Sequence, residues 1–93
     1  MSPIENKKNI TMFMSPSICS IRYYTTYIVR FDNDKVKLDS NGHRTASTKR
    51  HMNNASIQYN LGFKVFQKDF EWFVRLPRGD IVDFQDNMAF RRY

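Results

Sequence analysis

Lys49, Arg50 and His51 stand in a row, followed by Asn53 and Asn54, within a run (residues 45–62) that holds no Asp or Glu. Cationic and amide side chains of this kind donate hydrogen bonds to phosphates and base edges, or pair with carboxylates on an acidic protein. Ile57 falls among them, roughly 140° around a helix from Met52. An apolar side chain in that company suits a protein interface better than a DNA groove. Lys49, Arg50, Asn53, Asn54 and Ile57 are therefore the candidate partner-binding set. The alternative is that Lys49 and Arg50 are solvated and that Ile57 packs against the N-terminal segment.

A second set lies in "FKVFQKDFEWFVRL", residues 63–76. With Asp69-Phe70 as a two-residue turn, Phe66 faces Phe73, Lys64 faces Arg75 and Lys68 faces Glu71. Phe63, Val65, Trp72, Val74 and Leu76 then form the core face. Lys64, Phe66, Phe73 and Arg75 would make a platform on which bases stack while cations track the backbone, the chemistry of single-stranded nucleic-acid binding. Asp-Phe is not a favoured turn pair, however, and a shift of one residue exchanges the faces. The bland alternative is a covered cross-strand aromatic pair.

Catalytic chemistry has little to draw on. Cys19, His43 and His51 are the available nucleophile and bases, and no Gly-rich phosphate loop accompanies them. One Cys, two His and scattered acids make no metal pattern. The expectation is a protein without enzymatic activity, metal or other cofactor. Arg78-Gly79-Asp80 spells an integrin-binding tripeptide and is read as a turn.

These residues must be positioned by a small frame. The chain has 93 residues, 41% hydrophobic and 15% aromatic, so at most one domain is expected. A chain of this size buries roughly 60% of its unfolded surface, which leaves little volume for a deep catalytic pocket. Fifteen Lys and Arg against nine Asp and Glu give a net charge of +6, favouring nucleic acid or acidic protein surfaces. The single Cys forbids an internal disulfide and fits a reducing cytoplasm. No apolar run suits a membrane span. Residues 7–20 mimic a signal peptide only distantly, because Pro16 and the serines interrupt the apolar run.

Residues 1–20 lack a sustained period and read as a flexible N-terminal extension, leaving 21–93 as the folded domain. "IRYYTTYIVRF", residues 21–31, reads as one strand, with Tyr23, Thr25, Tyr27, Val29 and Phe31 on one face. Asp32-Asn33-Asp34 is a turn, and residues 35–39 alternate as a second strand. Thr45 or Ser47 can cap a helix whose stripe is Thr48, Met52, Ala55 and Tyr59, with Gly62 as its stop. Strands follow at 63–68 and 71–76, and residues 81–84 and 88–91 are short strand candidates. The predicted fold is α+β, a small antiparallel sheet (β-β-α-β-β-β) with one packing helix.

"TYIVRF", "STKRHMN", "GFKVFQKDFEWFV" and "FQDNM" together resemble a group of small α+β proteins encoded by bacteriophages. The matching positions are Thr48, Lys49, Met52, Asn53, Val65, Phe66, Gln67, Lys68, Trp72, Phe73, Val74, Phe84, Asp86 and Met88. The resemblance covers about residues 26–90 and brings no activity with it. It implies a phage accessory protein acting in the host cytoplasm, binding and inhibiting or redirecting a host protein complex such as a defence or nucleic-acid-processing assembly. Direct binding of DNA or RNA is the alternative.

Overall fold

A computed structural model describes residues 10–92. The elements are β1 (Ile10–Met14), β2 (Cys19–Tyr23), β3 (Thr26–Phe31), β4 (Lys35–Leu38), α1 (Ala46–Gln58), β5 (Lys64–Lys68), β6 (Glu71–Arg75), β7 (Ile81–Asp83) and β8 (Met88–Arg91). All strand pairs are antiparallel. The α+β class with one helix is as the sequence predicts. The strands divide into two sheets rather than one, ordered β1-β2-β3-β4-β8 and β5-β6-β7.

The N-terminal half departs most from the sequence reading. Residues 10–20, expected within a flexible extension, supply β1 and the start of β2. The remainder of that expected extension, residues 1–9, lies outside the described residues, as does residue 93. Residues 21–31 are not one strand. Tyr23 pairs with Thr26, so Tyr24-Thr25 is a two-residue hairpin loop, entered by Tyr24 at φ +56°. Neither residue is the Gly or Asn that usually marks such a loop. The register also shifts here, from Ile21 opposite Val29 to Arg22 opposite Tyr27, leaving Ile28 as an extra residue in β3. Such a bulge reverses the inward and outward parity. Ile28 and Val29 are consecutive and both buried, and Tyr27 lies on the face opposite Val29.

The later turns follow their local chemistry. The Asp32 carboxylate accepts from the amides of Asp34 and Lys35, both at 2.7 Å. Those two bonds hold its pKa below the usual carboxylate value, Asp34 first. Asp69 and Phe70 both have positive φ, +52° and +69°, which makes the two-residue turn of the expected register. Phe66 then pairs with Phe73, Lys64 with Arg75 and Lys68 with Glu71. Arg78-Gly79-Asp80 lies in a turn closed by the Leu76 amide on the Asp80 carbonyl at 2.7 Å.

One core joins the two sheets and the helix. Ile21, Val29, Val36 and Leu38 from the larger sheet meet Met52 and Ala55 of α1 and Val65, Trp72 and Val74 of the smaller one. Burying each aliphatic side chain contributes about 1.5–3 kcal/mol. Thr45 caps α1 by accepting from the Thr48 amide at 3.2 Å. The helix stops earlier than expected. Asn60 takes the left-handed conformation at φ +55°, and the Leu61 amide reaches back to the Ser56 carbonyl at 2.9 Å. Gly62 instead turns the chain into β5 at φ +82°, where a Cβ would sit 3.1 Å from the Cβ of Pro77.

Candidate nucleic-acid interface

The larger sheet turns one face to the core and leaves the other uncovered by any described element. The pairing aligns Phe13, Ser20, Arg30, Lys37 and Ala89 in one row across all five strands. Thr11, Arg22 and Tyr27 form a second row, and Lys35 with Arg91 a third. These outward positions carry Arg22, Arg30, Lys35, Lys37 and Arg91, and no acid.

Two rings stand among these cations. Phe13 and Tyr27 have centroids 6.0 Å apart. The Arg22 guanidinium lies 5.0 Å from the Phe13 centroid, and that of Arg30 lies 4.5 Å from the Tyr27 centroid. The Nε of Arg22 is buried without a hydrogen-bond partner among the described residues. Phe13 is 42% exposed and Tyr27 36%, so both present ring area to solvent. A groove of about 510 Å³ runs beside Phe13, Met14 and Ile18 and is lined also by Arg30, Lys35, Lys37 and the loop residue Asp32. A smaller recess of about 220 Å³ shares Arg30 and Lys37 with it and is lined also by Tyr27, Asp39 and Asn87.

The helix set does not act as one surface. Asn53 turns inward: its Nδ2 donates to the Val65 carbonyl and its Oδ1 accepts from the Val65 amide, each at 2.8 Å. Lys49 is half-buried with Nζ 5.8 Å from the Trp72 ring centroid. Arg50 is exposed, Asn54 is half-buried, and Ile57 is 78% exposed.

The second set is brought together as its register requires. Phe66 and Phe73 are half-buried and stacked, with centroids 5.7 Å apart and planes at 28°. Asp83 of β7 pairs with Phe73, and Glu71 pairs with Lys68. Two carboxylates therefore share that face with Lys64, Lys68 and Arg75, unlike the outward rows of the larger sheet.

The catalytic candidates are dispersed. Cys19 is buried at one end of β2, where burial raises its thiol pKa. The His51 ring packs on Tyr23 at the other end, 4.7 Å between centroids. These ends are four residue steps apart, about 13 Å at the strand rise of about 3.3 Å. Among the described residues, no group of three or more His, Cys, Asp or Glu could hold a metal ion. No helix among them is long and apolar enough to cross a membrane.

The Kyanoviridae Gp96 protein family matches residues 3–91, nearly the whole chain. The chain belongs to that phage family. Membership bears out the phage origin implied by the resemblance, and it extends N-terminal to the motifs, over the β1–β2 hairpin. No curated protein and no solved structure matches the chain. Several of the motif residues serve the fold of this Gp96 family member. Thr48 and Met52 are buried, Asn53 ties α1 to β5, and the Trp72 and Phe84 rings pack edge to face at 5.4 Å. Asp86 accepts from the Ser40 hydroxyl at 2.6 Å, the Ser40 amide at 2.8 Å and the Gly42 amide at 3.1 Å. Burial pushes its pKa up, and these three bonds outweigh that and hold it below the usual carboxylate value.

Sequence reasoning missed Phe13, Arg22, Tyr27 and Arg30 as a group. Phe13 fell in the supposed extension, and the bulge at Ile28 hid the parity of Tyr27. The outward Lys35 and Lys37 were the readable part of the signal.

Proposed function

We infer that this phage accessory protein binds single-stranded nucleic acid on the open face of its larger sheet. The observation that carries the reading is that the outward strand positions of one sheet hold Phe13 and Tyr27 together with Arg22, Arg30, Lys35, Lys37 and Arg91 and no carboxylate, with Asp32 and Asp39 entering only from the loops that border the recesses. Cations on a flat sheet follow a phosphate backbone, while exposed rings accept the faces of unstacked bases. A duplex hides those faces, so single strands bind more tightly. The proposed role is non-enzymatic. The test is titration of a fluorescent oligonucleotide at several salt concentrations. Five cations on phosphates give a log–log slope of up to about −3.5, from about −0.7 per neutralised phosphate. Salt-independent binding, or none at low salt, would sink the reading.

A second reading is favoured by the exposure of Ile57 beside Arg50 and Asn54 on a helix without acids. Here α1 docks on an acidic host protein complex and inhibits or redirects it in the host cytoplasm. Lys49 contributes at the margin, and Asn53 is committed to β5. The two readings use different surfaces, so Ile57→Asp separates them: it abolishes capture of the host complex and leaves oligonucleotide affinity unchanged. Undiminished capture by that variant would remove the helix from the account.

A further inference from the structure

Phe70 is 95% exposed at the tip of the β5–β6 hairpin and adopts φ +69°. That region of backbone space is hostile to a bulky side chain and open to Gly or Asn. The hairpin thus holds an aromatic ring in solvent, at a position where its own fold is better served by another residue. Asp69 and Glu71 flank the ring, with Lys68 opposite Glu71, so the tip is an apolar knob with two carboxylates and one ammonium beside it. The groove on the larger sheet is its complement: Phe13, Met14 and Ile18 supply apolar lining, and Arg30, Lys35 and Lys37 outnumber the one carboxylate there, Asp32, in about 510 Å³. For scale, an apolar cavity of about 150 Å³ accepts benzene.

We propose that two copies of this chain associate head to tail, Phe70 of one entering the groove of the next with Asp69 and Glu71 against Arg30, Lys35 and Lys37. Nucleic acid is a poor occupant for the tip, because the flanking carboxylates repel phosphates. The contact is heterologous, so each added copy leaves a free tip and a free groove, and the assembly grows until the rotation between copies closes it into a ring, or without limit where it does not. It does not rest on nucleic-acid binding, although an oligonucleotide on the same face competes with it.

Sedimentation of nuclease-treated full-length protein at low salt, from micromolar to millimolar concentration, tests this without any nucleic acid present. The wild-type mass rises with concentration. Phe70→Gly stays monomeric and melts no lower than wild type, because Asp-Gly is a favoured pair for this turn. Lys35→Glu with Lys37→Glu also stays monomeric, and Ile18→Asp repeats that loss from an exposed loop position if the double variant folds poorly. Mixing Phe70→Gly with a groove variant restores a one-to-one pair that grows no further, since one supplies the groove and the other the tip. A wild type that is monomeric throughout, a Phe70→Gly protein that associates like wild type, or variants that fail to pair when mixed would each overturn the proposal.

Discussion

Asn53 of α1 makes both backbone hydrogen bonds of Val65 in β5, donor and acceptor each at 2.8 Å. Ser56 does the same one pleat earlier: its hydroxyl donates to the Phe63 carbonyl at 2.6 Å and accepts from the Phe63 amide at 3.1 Å. Two helical side chains thereby take the place of a neighbouring strand along the free edge of the smaller sheet. An open edge is a template for unwanted pairing, and covering it removes that hazard.

Asn53→Ala therefore leaves the Val65 amide and carbonyl without their side-chain partner. The expected cost is about 2–3 kcal/mol of unfolding free energy, the penalty for stranding part-buried polar groups. Chemical denaturation measures it. Arg50→Ala, on the exposed side of the same helix, changes stability by less than about 0.5 kcal/mol. Equal effects from the two substitutions would mean that Asn53 is not the tie.

Asp86 clamps the loop after β4 through Ser40 and Gly42, and its pKa is depressed in the folded state. A depressed carboxylate stabilises the fold above its unfolded pKa of about 3.9, and the contribution disappears as pH falls through the folded value. Asp86→Asn should cost about 1–2 kcal/mol at neutral pH. Thermal melts of the two proteins should converge in acid, below the ordinary carboxylate range. A gap that stays constant with pH would show that charge is not what the clamp uses.

Arg30 and Lys37 pair across β3 and β4 at the centre of the open face. Replacing both with Gln reduces the salt slope of oligonucleotide binding by about 1.4, two phosphate contacts at about 0.7 each. The melting temperature should hold, because both side chains are exposed. An unchanged slope would place the phosphates elsewhere.

Legibility in the sequence followed the source of each structural signal. The core face of β5–β6 was readable because Val65, Trp72 and Val74 share one buried side, but the register was not, since Asp-Phe is not a favoured turn pair and a four-residue loop would bury the same three. The Asp32 turn and the Thr45 cap were readable because a side chain within three residues makes the bond. The β2–β3 hairpin was not, since Tyr24-Thr25 carries no turn residue and tertiary pairing imposes its positive φ. The bulge at Ile28 leaves no local mark either, and it decides which way Tyr27 points. Asn53 has the chemistry of a surface ligand, and only the arrival of β5 beside α1 turns it into a structural tie. The open face of the larger sheet was hidden for the same reason: its residues come from β1, β2, β3, β4 and β8, and no single segment carries the pattern.

The most direct test of the nucleic-acid reading compares ring deletions on the two sheets, using one labelled single strand at fixed low salt. Phe13→Ala with Tyr27→Ala should weaken binding by about 1–3 kcal/mol for each lost base stack, while the protein stays folded. Phe66→Ala with Phe73→Ala, on the face shared with Glu71 and Asp83, should leave the affinity within a factor of a few. The reverse pattern, with affinity lost only when Phe66 and Phe73 are removed from a folded protein, would contradict the account and move the site to the smaller sheet.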